Sequence, residues 1–265
     1  MPFPNSISAD KLFRLIGTAH TPALIDVRPG DEFAADARLI PGAVRRSHEQ
    51  ITEWGHEFTG RSAIVVCRDG QQLAQGTAAW LRHMNVRAEV LEGGIEGWKA
   101  AKFPLVPASK LPARDAQGRT VWVTRARPKV DRIACPWLIR RFVDPNALFL
   151  YVARSEVATV GERFKAAPFD IPDVFWSHRG NLCTFDVMVQ EFALVTPPLL
   201  RLSTIVRAAD TDRLDLCPEA PGLLAASLGL SRMYDNDLEQ LEAGIVLYDA
   251  FYRWCRDATG ETHER

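Results

Sequence analysis

The chain has 265 residues, of which 47% are hydrophobic and 25% are charged, and its formal net charge is −1. This composition is ordinary for a folded globular protein, and the balanced charge does not indicate a globally basic nucleic-acid-binding domain. No apolar run reaches the roughly 18 residues of a membrane span, and the N-terminus lacks the basic start and apolar core of a signal peptide. We therefore expect a cytoplasmic protein that makes no membrane contact.

The five cysteines form no recognisable framework. Their number is odd and no two of them are close in sequence, which argues against a set of disulfides and against a zinc finger or ribbon. We therefore expect reduced thiols, and these are Cys67, Cys135, Cys183, Cys217 and Cys255.

Strand and helix signals alternate over the first part of the chain. Ser8 can cap a helix that Gly17 closes. Three short apolar runs and one amphipathic segment follow, namely ALIDV (23–27), AIVVC (63–67), LAQGTAAWLRHM (73–84, with Leu73, Thr77, Trp80, Leu81 and Met84 at helical spacing) and RAEVL (87–91). Continuous apolar strands alternating with helices predict an α/β domain whose parallel sheet carries helices on both faces.

The pattern changes after this region. Residues 103–120 contain three prolines and no usable periodicity, so we predict a linker at 106–119 between domains at 1–105 and 120–265. The second domain is predicted to be mainly α (α+β). Strand-like runs occupy 121–124 and 147–152, and helical patterns occur near 184–192, 197–209, 219–230 and 235–256.

Cys67 stands where a buried parallel strand should emerge at its carboxyl end, which is where open α/β sheets bind ligands. Loop amides and the following helix N-terminus can form an anion-binding cup that stabilises a thiolate. The alternative is a buried, inert cysteine that completes the strand. The candidate loop is Cys67, Arg68, Asp69, Gly70, Gln71 and Gln72.

Four blocks resemble those of single-domain rhodaneses, which are sulfurtransferases: LIDVRPGDEF (24–33), IPGA (40–43), VVCRDGQQ (65–72) and LEGGIEGW (91–98). The resemblance implies that Cys67 takes sulfur from a small donor as a persulfide and passes it to a thiol acceptor. It also implies that Asp26 and Arg28 of the first block support the site.

The chain departs from the rhodanese pattern at three positions. Gln72 stands where family members commonly have arginine, acidic Asp69 lies in the loop, and Leu39 replaces a customary histidine. A less cationic cup should bind a dianion weakly, so we predict that thiosulfate is a poor sulfur donor. A cysteine phosphatase or arsenate reductase needs arginine at position 73, where this chain has Leu73.

Basic residues concentrate in 119–141, where seven arginines and lysines face the single acid Asp131. Such a segment indicates a local anion or nucleic-acid contact, and the alternative is a solvated helix face with internal ion pairs.

Two polar clusters stand out further along. SHRGNLCTFD (177–186) brings together His178, Arg179, Cys183 and Asp186, and IVRAADTDRLD (205–215) places Arg207, Asp210 and Asp212 at the end of an apolar helix. Arg207 and Asp210 are three residues apart and can pair. Acids at a helix C-terminus need an arginine or metal partner, so His178, Asp210 and Asp212 are candidate ligands of a metal ion in this domain. A buried Arg–Asp network is the alternative.

Residues 119–256 resemble the C-terminal domain of ChrB chromate-resistance proteins, through VTRARPKVDRIACPWLIRRFVDPNALFLYV, PFDIP, SHRGNLCTFD, IVRAADTDRLD and GLLAASLGLSR. The resemblance implies a role in the response to chromate, a tetrahedral dianion that arginine forks suit. DNA is not favoured as a partner, because a rhodanese-like domain replaces the N-terminal segment of the ChrB regulators. The candidate residues are Arg125, Arg132, Arg179 and Arg207 for the oxyanion, Cys135 and Cys183 for redox chemistry, and Asp131, His178, Asp186, Asp210 and Asp212 beside them.

These observations together predict a chromate or oxyanion resistance protein with sulfurtransferase chemistry at Cys67. The alternative is a chromate-sensing regulatory protein whose rhodanese-like domain does not turn over.

Overall fold

The computed structural model describes residues 5–262, which divide into two compact units. The first unit extends to Ser109 and includes Arg141–Asp144, and the second comprises Lys110–Arg140 and the chain from Pro145 onward. Within the described residues, no helix combines the length and the apolar character needed to cross a bilayer.

The first unit is built on a parallel sheet, as the apolar runs predict. Its five strands lie in the order β1-β6-β5-β2-β4, and every neighbouring pair is parallel. A two-stranded antiparallel ribbon joins β3 to β7. The strands are β1 (Ser6–Ile7), β2 (Ala23–Asp26), β3 (Arg38–Leu39), β4 (Ala43–Arg45), β5 (Ser62–Val66), β6 (Arg87–Leu91) and β7 (Val106–Pro107).

Five α-helices flank this sheet: α1 (Ala9–Leu15), α2 (Gly30–Ala35), α3 (Ile51–Trp54), α4 (Gln72–His83) and α5 (Gly94–Ala100). Ser8 caps α1 by accepting a hydrogen bond from the Lys11 amide, as predicted. Helix α4 follows β5 directly. It buries Ala74, Thr77, Ala78 and Leu81, whereas Trp80 of the predicted apolar stripe is 49% exposed.

Four short strands of this unit were not predicted, namely β4, of three residues, and β1, β3 and β7, of two residues each. Ser6–Ile7 pairs with β6 and forms an edge of the sheet, and Val106–Pro107, at the start of the predicted linker, pairs with Arg38–Leu39. Strands of two or three residues carry no periodicity, so a pattern of apolar residues cannot reveal them.

The second unit is largely helical and has a small parallel sheet in the order β10-β8-β9. The strands are β8 (Val121–Arg125), β9 (Leu148–Val152) and β10 (Ala167–Pro168). The helices are α6 (Asp131–Phe142), α7 (Val157–Phe164), α8 (Thr184–Glu191), α9 (Pro197–Asp210), α10 (Ala220–Met233) and α11 (Asp237–Asp257). The last four occupy the positions that the sequence predicts to within a few residues.

Helix α6 was not predicted, and it contains a proline. Pro136 has no amide proton, so the carbonyl of Arg132, four residues earlier, cannot be bonded within the helix. The hydroxyl of Tyr151 in β9 donates to that carbonyl over 3.0 Å. The helix therefore tolerates its proline because the sheet satisfies the orphaned carbonyl.

Candidate functional site

Cys67 directly follows the central strand β5, at the carboxyl edge of the sheet, and α4 begins five residues later. The residue is only 2% exposed, but it lines a cavity of about 430 Å³. The other lining residues are Glu32, Arg68, Asp69, Gln71, Gln72 and Leu73. The loop that the sequence singles out therefore forms one wall of a concave site.

Two glycines hold this loop against the N-terminus of α5. Gly70 has a φ of +73°, and a Cβ there would overlap the carbonyl oxygen of Leu91. A Cβ on Gly94 would overlap the Cys67 carbonyl oxygen in the same way. The Ile95 amide donates to the Cys67 carbonyl over 3.0 Å. The loop therefore lies so close to the next turn that only glycine fits at these two points.

Asp69 lines the cup and contacts the Cys67 thiol there. Its Oδ1 accepts a hydrogen bond from the Cys67 thiol over 3.5 Å and another from the Gln71 amide over 3.0 Å. Arg68, the only arginine of the loop, is 3.7 Å from Glu32, and its side chain is 60% exposed. The cup thus holds two carboxylates, and one of its amides is already engaged.

Asp26 and Arg28 form a buried ion pair at the end of β2. The Arg28 guanidinium contacts both carboxylate oxygens, with the shortest separation at 2.6 Å, and it donates to the carbonyls of Asp36 and Arg38. These bonds tie the end of β2 to the turn after α2. The pair therefore supports the sheet edge and does not line the Cys67 cavity.

A second polar site lies in the second unit, where four elements converge. Asp131 begins α6, Asp170 follows β10, His178 precedes α8 and Asp210 ends α9. His178 Nε2 is 3.5 Å from Asp131 Oδ2, 3.5 Å from Asp170 Oδ1 and 3.2 Å from Asp210 Oδ2. We call these four residues the carboxylate–histidine cluster.

The pKa values of Asp131 and His178 in this cluster are strongly raised. Burial raises the pKa of Asp131 well above its usual range, and the charges of Asp210 and Asp170 raise it further. Hydrogen bonds to Asp170 and Asp210 raise the pKa of His178 to about 10. Carboxylates crowded around one imidazole therefore favour a positive charge at its position.

The structure brings only some of the predicted candidates together. Arg132 and Arg125 face Asp170 Oδ2 at 3.3 and 3.6 Å, beside Asp131, His178 and Asp210. Asp170 was missed by sequence reasoning. It lies in the PFDIP segment, in a turn with positive φ, where periodicity gives no signal.

Arg207 and Asp210 do not form the ion pair that their spacing allows. Arg207 instead binds Asp186 at 2.8 Å, and Asp210 faces His178, because α8 supplies a buried carboxylate next to the arginine. Asp212 lies in the exposed turn after α9, with a φ of +56°, and it is not among the carboxylates that contact His178.

Other candidates serve packing or surface contacts. Arg179 pairs with Glu191 and lies over the ring of Phe175. Cys135 and Cys183 are buried, and burial raises the pKa of both thiols well above the usual value. All five cysteines are free thiols, as predicted. Neutral thiols are weak nucleophiles, so the surroundings of Cys135 and Cys183 do not favour redox chemistry.

The basic segment 119–141 does not form one continuous positive surface. Five of its arginines face carboxylates or carbonyls: Arg119 pairs with Asp115, Arg127 with the carbonyls of Ser231 and Tyr234, Arg125 and Arg132 with Asp170, and Arg140 with Glu242. Much of the positive charge is therefore used inside the fold.

Comparison with known proteins separates the same two regions. Residues 122–255 match the family model described as "ChrB, C-terminal domain", and residues 8–101 match the model of the rhodanese-like domain. Protein ChrB of Cupriavidus metallidurans is 36% identical over 150 residues, or 55% of this chain. The match covers 44% of the length of that relative.

Two solved structures are similar to part of this chain. A rhodanese-related protein from Thermoplasma volcanium is 22% identical, with a TM-score of 0.34, and the alignment covers 39% of this chain and 98% of that one. A rhodanese-like domain protein from Staphylococcus aureus is 24% identical, with a TM-score of 0.33, and the alignment covers 36% and 91% of the two chains.

Proposed function

Because the chain belongs to the family of the ChrB C-terminal domain and carries a rhodanese-like domain ahead of it, we propose that it acts in resistance to chromate or a similar oxyanion through sulfur transfer at Cys67. The observation that carries the sulfur-transfer part is the placement of the thiol. Cys67 lines a cavity at the carboxyl end of the central strand, and a carboxylate accepts the hydrogen bond of its thiol.

The transfer has two balanced steps. The Cys67 proton moves to Asp69, and the thiolate attacks the outer sulfur of the donor. The donor S–S bond breaks, its remaining fragment leaves with the electron pair, and Cys67 becomes a persulfide. A second thiolate then attacks the outer sulfur of that persulfide, and Cys67 leaves as a thiolate that takes a proton back. Asp69 is suited to this exchange because its Oδ1 already accepts the thiol hydrogen bond.

The charge of the cup favours a donor of low negative charge. Asp69 and Glu32 both line the cavity, and the guanidinium of Arg68 is turned towards Glu32. Two like charges 4 Å apart repel by about 4 kcal/mol at an effective dielectric constant of 20. We therefore propose an organic persulfide or polysulfide as the donor, with thiosulfate used poorly.

The arginines of the second unit support chromate binding less directly. Arg125, Arg132 and Arg207 each face a carboxylate within 4 Å, and Arg179 pairs with Glu191. A bound dianion would have to replace one of those carboxylates. We therefore assign sulfur transfer to the Cys67 thiol, and membership of the ChrB C-terminal domain family supports the chromate role.

Sulfur transfer is tested on the full chain by intact mass spectrometry after incubation with glutathione persulfide or with thiosulfate. We expect wild-type protein to gain the mass of one sulfur atom from the persulfide and little from thiosulfate. Cys67→Ala should gain none, whereas Cys217→Ala, the control at a half-buried cysteine of the second unit, should behave as wild type. Equal sulfur uptake by Cys67→Ala would remove this thiol from the mechanism.

The resistance role is tested by survival of a chromate-sensitive bacterium that expresses each variant. Protection by wild type and its loss in Cys67→Ala is the expected result. Protection that persists in Cys67→Ala would favour the alternative, a chromate-sensing protein whose rhodanese-like domain does not turn over.

A further inference from the structure

We propose that the carboxylate–histidine cluster of the second unit binds a divalent first-row transition metal, with Zn²⁺ as the best fit. The ligands are one donor atom each of Asp131, Asp170 and His178, and Asp210, whose Oδ2 is 3.2 Å from His178 Nε2, lies beside them. This inference goes beyond the proposed sulfur chemistry and does not depend on it.

The separations from His178 Nε2 match those between neighbouring ligands of one tetrahedral ion. Zinc lies about 2.0–2.2 Å from imidazole nitrogen and carboxylate oxygen, so neighbouring ligand atoms of a tetrahedron are about 3.3–3.6 Å apart. His178 Nε2 is 3.2–3.5 Å from one oxygen of each of the three aspartates. One donor atom from each of Asp131, Asp170 and His178 also lies within 4.8 Å of the other two.

Asp131 has a buried carboxylate oxygen without a hydrogen-bond partner in the described chain. The side chain of Asp131 is fully buried, and its Oδ1 has no hydrogen-bond partner among residues 5–262. Its other oxygen faces His178. A buried, unpaired oxygen is costly, whereas a cation bound by this carboxylate would offset that cost. A single Nε2–H can be aligned with only one of the three aspartates around it.

The surrounding residues orient the ligands as expected around a metal. The Thr184 amide donates to Asp131 Oδ2 over 2.6 Å, and the Thr184 hydroxyl donates to Asp170 Oδ1 over 3.0 Å. Arg132 and Arg125 lie against the opposite oxygen of Asp170. These contacts fix both carboxylates with one oxygen turned towards His178, which is the usual task of outer-shell partners.

The competing arrangement is a protonated His178 that serves as the counter-ion of the aspartates. Zinc binds neutral imidazole, so metal uptake would release the Nε2 proton to solvent. The two arrangements therefore differ in whether added Zn²⁺ displaces that proton and remains bound.

The test measures Zn²⁺ binding to the metal-free full chain by calorimetry, with elemental analysis after dialysis and Mg²⁺ as the comparison ion. We expect one Zn²⁺ per chain, retained in the presence of equal Mg²⁺. His178→Gln, a change at a half-exposed side chain, and Asp210→Asn should each lower Zn²⁺ affinity by about 10–100-fold. Thr184→Val should lower it within that range. Asp212→Asn, which removes a negative charge from the neighbouring exposed turn, should change nothing.

Three results would overturn the proposal. They are no Zn²⁺ retained by the wild-type chain, equal affinity in His178→Gln and wild type, and displacement of Zn²⁺ by equal Mg²⁺. The first would leave protonated His178 as the counter-ion, the second would place the ion elsewhere, for example on cysteines, and the third would reduce the cluster to a surface of general negative charge.

Discussion

Replacing Gly70 with alanine should damage the Cys67 loop far more than the same change at Gly60. Both glycines have similar positive φ values, +73° and +77°. The two positions differ in the space around an added Cβ. Nothing lies within 4 Å of a Cβ at Gly60, whereas a Cβ at Gly70 would overlap the Leu91 carbonyl and lie 3.0 Å from the Gly94 amide nitrogen. Gly60→Ala is therefore a matched control for the backbone cost.

The magnitude follows from the difference between the two sites. Left-handed φ costs about 1–2 kcal/mol for a residue with a Cβ, and reduced freedom of the unfolded chain returns about 0.4–1 kcal/mol. These contributions are common to both variants. The overlap at Gly70 adds about 1–3 kcal/mol, because backbone atoms must move to relieve it. Gly60→Ala should thus cost about 1 kcal/mol, and Gly70→Ala about 2–4 kcal/mol.

Hydrogen exchange measured by mass spectrometry on peptides that contain β5 reports this free energy of unfolding. Since each 1.4 kcal/mol is a factor of ten, the protection of Gly70→Ala should fall roughly 5- to 150-fold below that of Gly60→Ala. Uptake of sulfur by Cys67 should be lost in Gly70→Ala and retained in Gly60→Ala. Equal protection in the two variants would refute the close approach of the loop to Leu91.

Two further changes test the surroundings of the sites. Asp26→Asn leaves the buried Arg28 guanidinium without its carboxylate and should cost about 3–5 kcal/mol of unfolding free energy. Glu57→Gln, which removes the charge of the exposed carboxylate that pairs with Arg46, should cost less than about 1 kcal/mol of unfolding free energy. Equal shifts of the two variants in urea unfolding would contradict the role of burial. Cys255 is buried, and burial raises its pKa to about 11, so iodoacetamide labelling of this thiol should be slow and should still increase with pH above the ordinary thiol pKa of about 8.5. A labelling rate that levels off near that ordinary value, measured by peptide mass spectrometry, would contradict the raised pKa.

The elements that the sequence predicts are those with long, uniform apolar patterns. The run that ends at Cys67 is continuously apolar because β5 is buried on both faces, and α11 has a helical apolar pattern because one of its faces is buried. Neither prediction needed tertiary information. Helix α6 was missed because Pro136 and the surrounding arginines hide its burial. Trp80 was misassigned to the buried face because small residues, such as Ala74 and Ala78, cover that face instead.

The two candidate sites also differ in how far the sequence could predict them. The Cys67 loop is contiguous in sequence, so its position after a strand was enough to predict it. The carboxylate–histidine cluster joins four elements, and Asp131 and Asp210 are 79 residues apart. A single sequence indicates acidic and histidine side chains but not which of them meet, so Asp170 and Thr184 escaped notice while Asp212 was included.

The proline of α6 separates the helix into two parts that are anchored differently. Because the Arg132 carbonyl is bonded to Tyr151 and not to a helical amide, the first turn is fastened to the sheet, while the rest of the helix is held by its own backbone. Asp131 lies in the fastened turn, so its position is set by β9. Thermal motion beyond Pro136 should therefore reach this carboxylate weakly, even though Trp137, Leu138 and Ile139 in the rest of the helix are fully buried.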